Sequence, residues 1–318
     1  MPKVTVVIPA YNAMAFLPET LDSVLNQTFT DFEVLIVNDG STDKIVEWAS
    51  QVTDPRVKLI TQENQRVSVA RNTGINNSQG EYIAFLDADD LWEPTKLEKQ
   101  VRCLDENPEV GMVYTWTLLV DKDNNSIGRV YASDVEGKAW AEILEKDMIS
   151  SGSSTMVRRS CFDTVGLFDR TLAYAPDLDM WVRIAFHYPI AVVKEPLLRY
   201  RQLPNSFSRN NQKMVQDLRQ VIEKTFQLVP LDLLYLRNRC YANIFLGLAW
   251  LAVDEGDYKK AANLRKQAVL QYAQVRFSEK YWRLSLAIAM IRLFGSQGYD
   301  GVRSLSRYLR LRLLGLST

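Results

Sequence analysis

Three polar clusters near the start of the chain could do chemistry together: Tyr11-Asn12, Asp39, and Asp87-Ala88-Asp89-Asp90. The last gathers three carboxylates within four residues. Carboxylates that close repel and raise one another's pKa unless a cation sits among them. A divalent metal held by one or two carboxylates, completed by substrate phosphates and water, answers that need. Taken singly, each cluster has a plainer reading. Asp39-Gly40-Ser41 is an ordinary turn, Asp87–Asp90 a helix-capping loop, and Tyr11 a core aromatic. The inventory also excludes chemistry. His187 is the only histidine, so neither a multi-histidine zinc site nor a Ser/His/Asp triad elsewhere can be assembled. Cys103, Cys161 and Cys240 are odd in number and far apart, which argues for a reducing compartment and against a disulfide framework.

The elements around the clusters predict that they converge. Val4–Ile8 reads as a buried strand, and Pro9 ends it. Asn12 is expected to cap a helix with Leu17, Leu21, Val24 and Leu25 on one stripe. Further strands are predicted at Phe32–Val37, Val57–Ile60 and Tyr82–Leu86, with helices at Ile45–Ala49 and Val67–Asn76 between them. Such alternation implies a parallel sheet covered on both faces. Ligands of these sheets bind outside the carboxyl ends of the strands, where all three clusters fall. Beyond, the pattern is less regular: a strand at Val110–Thr117, a polar turn region at Asp121–Gly128, a short helix within Asp163–Asp169 and a helix at Asp177–His187.

From about residue 213 Gly and Pro become rare and the pattern is helical. Tyr241–Val275 reads as two helices broken at Asp254-Glu255-Gly256-Asp257, one tetratricopeptide-like hairpin without the further copies that a solenoid needs. Net charge is zero, but residues 1–212 carry 21 basic and 30 acidic side chains, against 17 and 8 in 213–318. That split predicts two modules, 1–212 and 213–318, with different partners. No signal peptide fits the Met1-Pro2-Lys3-Val4 start, and the apolar runs Ile244–Val253 and Leu284–Ile291 fall short of the roughly 20 residues of a membrane span.

Six segments, in order, resemble the family 2 glycosyltransferases: Val6-Val-Ile-Pro-Ala-Tyr-Asn12, Val37-Asn-Asp-Gly-Ser-Thr-Asp43, Ala70-Arg-Asn-Thr-Gly-Ile75, Phe85-Leu-Asp-Ala-Asp-Asp-Leu-Trp92, Gly166-Leu-Phe-Asp169 and Asp177-Leu-Asp-Met-Trp181. The resemblance covers roughly residues 3–205 and implies a GT-A fold, with a helical appendage following it. It implies a role at each matching position. Pro9 and Tyr11 line the base pocket, with Tyr11 packing on the nucleobase. Asp39 accepts a hydrogen bond from the base, which suits uracil N3–H, and Arg71 lies near the nucleotide. Asp87 contacts ribose or metal, Asp89 ligates Mn²⁺ or Mg²⁺ through the diphosphate, and Asp177 is the catalytic base. Three positions depart from the family pattern: Pro176 replaces an acidic residue, Gln65-Arg66 replaces a glycine-bearing loop, and Leu203 replaces a His tied to a phosphate or metal contact. The base and the metal carboxylates are intact, so activity is expected to survive.

The implied reaction is transfer, with inversion, from a nucleotide-diphosphate sugar, a UDP-sugar in first place, to an acceptor hydroxyl. The expected acceptor is a carbohydrate or glycolipid in polysaccharide or cell-envelope assembly, and no nucleic-acid partner is expected. Two rivals are nucleotidyl transfer, which brings a basic Gly-rich loop where this chain has Pro9-Ala-Tyr-Asn12, and a non-catalytic nucleotide-sugar-binding adaptor. The expected location is cytoplasmic, with peripheral contact to an anionic inner membrane face. That contact would use Val302, Leu305, Leu309 and Leu313 on one helical stripe beside Arg303, Arg307 and Arg310; a helix packed on its own domain is the alternative. His187 reads as structural, Trp92 and Trp181 as pocket walls or core, and Asp179 as a loop-orienting or capping residue.

Overall fold

The computed structural model describes residues 1–145, 149–203, 211–227 and 229–313, with side chains in these ranges except 211, 212, 296, 297, 300 and 302–313. The chain divides into two compact units, Met1–Asp217 and Leu218–Thr318.

In the first unit the β-branched runs become strands β1 (Val4–Ala10), β2 (Phe32–Asp39), β3 (Val57–Gln62) and β4 (Tyr82–Phe85), pairing in parallel in the order β3-β2-β1-β4. Helices α1 (Leu17–Leu25), α2 (Ile45–Ala49) and α3 (Arg66–Asn77) form the crossovers. Register aligns the carboxyl ends, since Ala10 pairs with Asn38 and Asp39 with Gln62. The apolar stripe of α1 buries Leu17, Leu21 and Val24, as its spacing predicts. Asn12 is not its cap. The N-cap is Phe16, which makes no side-chain cap bond, and Asn12 takes a left-handed φ of 49°. Its Oδ1 instead accepts the Thr42 N–H at 2.9 Å, and its own N–H donates to Ser41 Oγ, so it ties the loops after β1 and β2 together.

Helix α3 lies unusually close to β1. A Cβ on Gly74 would come within 2.3 Å of Val7, so only glycine lets this helix approach, and the approach is what brings Arg71 to the strand ends.

The rest of the first unit continues the sheet. The elements are β5 (Leu91–Trp92), α4 (Lys96–Glu106), β6 (Met112–Val120), β7 (Ser126–Tyr131), α5 (Trp140–Glu145), β8 (Met156–Arg158), α6 (Ser160–Val165), α7 (Pro176–His187) and β9 (Ile190–Arg201). Strand β8 runs antiparallel between β4 and β6, β9 runs parallel to β6, and β5 closes the far side antiparallel to β9, making a mixed nine-stranded sheet. The polar region expected at Asp121–Gly128 is a hairpin turn only up to Asn125. β7 then pairs with β6 although every one of its residues is exposed, because ladder hydrogen bonds and not an apolar face hold it.

In the second unit, α8 (Asn211–Phe226), which begins in the first, is followed by α9 (Tyr235–Asp254), α10 (Tyr258–Gln271) and α11 (Glu279–Leu313). The break between α9 and α10 falls in the predicted acidic stretch: Gly256 takes a φ of 78°, and Asp257 caps α10 by accepting the Lys260 N–H at 2.9 Å. Small residues, Ala242, Ala249, Ala252, Ala261 and Ala268, are fully buried and let these helices approach closely. Gly295, at φ 72°, breaks α11. The side chains of the tail stripe Val302, Leu305, Leu309 and Leu313 lie outside the described residues.

Candidate active site

The carboxyl ends of β1, β2 and β4 carry the three clusters. Tyr11, just past β1, is 54% exposed, so it is no core aromatic and its ring is available to a flat ligand. Pro9 is half-buried beside it at the end of β1. Asp39, the last residue of β2, is buried and takes three hydrogen bonds from protein donors. Gln62 Nε2 (2.7 Å) and the Gln65 N–H (2.9 Å) bond Oδ1, and the Arg66 N–H (2.8 Å) bonds Oδ2. This explains one departure from the family pattern. Arg66 sits at φ 72°, a left-handed conformation that a glycine adopts freely and that costs an arginine about 1–2 kcal/mol. The Asp39 carboxylate holds it there and thereby starts α3.

Just over one turn into α3, Arg71 is buried at 3% side-chain exposure between two acids. Its Nη2 donates to Asp87 Oδ1 at 2.9 Å, and its Nη1 to Asp177 Oδ1. The guanidinium also faces the Phe168 ring at 5.3 Å and the Phe85 ring at 5.9 Å, while its Nε has no partner. Burial opposes its charge, but Asp177 and Asp87 outweigh that and raise its pKa further. Residues 71, 87 and 177 are thus one cluster, although Asp177 is 106 residues from Arg71.

Asp177 opens α7, and burial raises its pKa despite the opposing Arg71 charge. Its Oδ2 accepts the Gly152 N–H at 3.1 Å, and its side chain remains 28% exposed. Gly152 begins a 3-10 turn, Gly152–Ser154, whose role was not foreseen. Ser153 Oγ accepts the Asp87 N–H at 3.0 Å and donates to Asp90 Oδ2 at 2.7 Å. The turn is held from below: Gln100 Nε2 donates to Ser154 O at 2.9 Å, and the fully buried Lys96 ammonium, its pKa driven down by burial, donates to Gln100 Oε1 at 2.7 Å. A second unforeseen brace is Asp217 of α8. Its Oδ2 accepts the N–H groups of Ala173 (2.8 Å), Tyr174 (2.6 Å) and Ala175 (3.3 Å), the loop that delivers Asp177. A single Gly-Ser-Ser run and one aspartate among many offer no sequence signal for either.

The three carboxylates of the acidic motif part company. Asp87 pairs with Arg71. Asp90 is fully buried and structural: it accepts from Ser153 and from the Arg201 N–H (3.0 Å), and burial with the charges of Asp89 and Asp87 raises its pKa well above the ordinary range. Asp89 is the one pushed up to about 6, by burial first and by Asp87 second. Arg201, which bonds Asp89 O at 2.8 Å, opposes that rise. Protein cations therefore supply part of the charge that the sequence assigns to a metal. Among the described residues no group of three or more His, Cys, Asp or Glu forms a ready cage. The hard oxygens of Asp89 and Asp87, on a carboxyl group that a cation would help to ionise, do fit a divalent ion completed by substrate phosphates.

The remaining candidates resolve plainly. Trp92 and Trp181 are 4% and 2% exposed, so they are core, and Trp92 Nε1 donates to Ser153 O at 2.8 Å. Asp179 is buried and takes two hydrogen bonds from Arg183, at 2.9 and 2.7 Å. His187 ends α7, exposed against Phe186. Leu203 is half-buried, and Pro204 lies outside the described residues.

With this geometry in place, the comparisons with known proteins decide the family. Residues 5–166 match the model of glycosyl transferase family 2. The chain belongs to that family. An uncharacterized glycosyltransferase of Rickettsia typhi is 34% identical over 187 residues, 57% of this chain and 58% of that one. The chondroitin synthase of Escherichia coli is 34% identical over 190 residues, 58% of this chain but 27% of that one. The chain thus spans little more than half the length of the first relative and about a quarter of the second. Two solved structures share the fold at low identity. S. aureus TarS 1-349 with UDP-GlcNAc has a TM-score of 0.61 at 15% identity, covering 86% of this chain and 92% of that one. The mannosyltransferase PcManGT of Pyrobaculum calidifontis, with GDP-Man and Mn²⁺, has a TM-score of 0.57 at 21% identity, covering 92% and 87%. The α/β fold of this glycosyltransferase is therefore the GT-A fold, and helices follow it.

Proposed function

We propose that this family 2 glycosyltransferase moves a sugar from a nucleotide-diphosphate donor to an acceptor hydroxyl by a single displacement with inversion. The observation that carries the reading is the Arg71 bridge, which sets Asp177 beside the donor-side carboxylate Asp87. In this reading Tyr11 stacks on the base, Pro9 walls it, and Asp39 offers its remaining lone pair to a base N–H. Uridine suits that acceptor, and nucleotide sugars bound by structures of the same fold support the donor class.

Asp177 takes the proton of the acceptor hydroxyl as the oxygen attacks the anomeric carbon and the bond to the nucleoside diphosphate breaks on the opposite face. Arg71 and the Gly152 N–H fix its two oxygens and leave the outward lone pairs for the hydroxyl. The raised pKa makes it a stronger base than a solvated aspartate. Mn²⁺ or Mg²⁺, held by Asp89 and Asp87 when bound, would supply charge stabilisation for the departing diphosphate.

The acceptor class in this proposal is a carbohydrate or glycolipid of polysaccharide assembly, met in the cytoplasm at the inner membrane face, with the basic tail beyond residue 300 as one point of contact. Among the described residues no helix is long and apolar enough to cross a membrane. The test is a panel of nucleotide sugars read by thermal shift with and without Mn²⁺, followed by mass analysis of transfer to candidate acceptors. Metal-dependent stabilisation by one donor and mass gain on an acceptor are expected. A chain stabilised by none of the donors, with or without metal, is not this enzyme.

A further inference from the structure

The first part of α11 is apolar on two opposite faces. One face buries Leu284, Ala287, Ile288 and Ile291 in the core of the second unit. At 100° per residue, the centre of that face lies about 180° from a second stripe formed by Trp282, Leu286, Ala289 and Leu293. That second stripe faces solvent: Trp282 is 64% exposed, Leu286 63% and Leu293 74%. A helix with apolar residues all round is normally covered on all sides. Exposing a contiguous indole and two leucines to water is a cost that a partner removes.

The charges around the stripe say what kind of partner. Arg283 and Arg292 flank it, about 90° to either side, and the single acid of this stretch, Glu279, pairs with Arg283 at 2.5 Å. From residue 271 to the end the chain has eight basic and two acidic side chains. A second copy of the chain is disfavoured as the occupant. Paired with itself, the stripe would bring together two net-basic faces, each with Glu279 as its one acid and that acid already paired with Arg283. An anionic lipid surface matches both features. Leucine enters the acyl boundary, tryptophan prefers the headgroup level, and arginine reaches the phosphates.

We infer that the Trp282–Leu293 face of α11 is a membrane-docking surface that inserts its apolar stripe into an anionic lipid leaflet. It extends the membrane location proposed above to a surface distinct from the tail, and it stands independently of which donor is used.

The test uses the full chain, with flotation on phosphatidylcholine vesicles with and without phosphatidylglycerol. Wild type should float with the anionic vesicles and not with the neutral ones. L286E/L293E changes two exposed side chains, so it should fold, checked by circular dichroism and by unchanged donor binding. Its vesicle affinity should fall about 10- to 100-fold. Equal binding by wild type and L286E/L293E overturns the proposal, as does loss of binding only when Arg303, Arg307 and Arg310 are changed to Glu. So does a wild-type dimer, seen by light scattering, that L286E/L293E dissociates while neither form binds vesicles. Vesicle binding with no nucleotide-sugar binding would instead sink the donor reading and leave this one standing.

Discussion

Replacing Asp177 by Asn tests the assignment of the base with the least disturbance around it. The amide keeps one acceptor oxygen. If that oxygen faces Arg71, the NH₂ group faces the Gly152 N–H, so one hydrogen bond becomes a donor–donor contact. At a side chain 28% exposed, that costs on the order of 1 kcal/mol of stability, because water can still solvate the displaced groups. Arg71 retains Asp87 at 2.9 Å, so its buried charge is not orphaned. The amide cannot take the hydroxyl proton, and loss of a general base costs roughly 10²–10⁴ in rate. That is about 3–5 kcal/mol of barrier, several times the stability cost. Single-turnover transfer at saturating donor should therefore fall by that factor, while calorimetry gives near wild-type donor and metal affinities. Asp179→Asn is the control. It removes the charge that accepts two bonds from Arg183, so it should lower the melting temperature and leave turnover of the folded enzyme close to wild type. If Asp177→Asn keeps more than about a tenth of the turnover, or loses donor affinity in step with it, Asp177 is not the base.

Four further outcomes follow from the same geometry. Asp89→Asn should abolish most of the Mn²⁺ dependence of nucleotide-diphosphate binding in calorimetry; because Asp89 is pushed up to about 6 by burial and Asp87, the metal-free variant should melt no lower than wild type at pH 7, and a large drop in melting temperature would contradict this. In Gly152→Ala the new Cβ would lie 2.9 Å from Asp177 Oδ2 and 3.0 Å from Arg71 Nη2, so the carboxylate must shift; we expect turnover down about 10- to 100-fold with donor affinity held, and unchanged kinetics would show that this contact does not position the base. Asp217→Asn weakens the acceptor shared by the N–H groups of Ala173, Tyr174 and Ala175, and should lower turnover without altering donor affinity measured by titration. Glu33 is penalised by burial, but the Gln79 N–H, Lys58 and Thr5 outweigh this and hold its pKa below the ordinary value. Its stabilisation is thus present above the unfolded pKa and lost as pH falls through the lower folded value. Urea melts of wild type and Glu33→Gln should differ at pH 7 and converge toward pH 3, and a gap that persists at low pH would refute the linkage.

The sequence by itself determined the first half of the sheet and the edge that carries the polar clusters. Val4–Ile8 and Phe32–Val37 are β-branched runs of strand length, the first followed by Pro9 and the second by Asn38-Asp39-Gly40-Ser41. Parallel pairing then brings those ends to one side whatever the details, because every crossover helix returns the chain to the opposite edge. The break at Glu255-Gly256-Asp257 was equally local, since cap and left-handed turn are carried by the residues themselves. Asn12 misled because a short polar residue before an apolar stripe looks the same whether it caps a helix or ties two loops. Only the arrival of Ser41 and Thr42 from another strand decides between these.

Tertiary structure alone decided which charges meet. Three acids within four residues suggest that a metal must neutralise them. The fold instead turns Asp90 inward to Ser153 and Arg201 and gives Asp87 to Arg71, leaving Asp89 as the carboxylate with its pKa near 6. It also sets Gly152 and Asp217, from a 3-10 turn and a C-terminal helix, against Asp177 and its loop. The reason is one of range. Strand and helix periodicity is written in neighbouring residues, whereas charge pairing depends on distances of a few ångström between segments up to about a hundred residues apart. Those distances exist only after α3 has packed against β1, which the missing side chain of Gly74 permits.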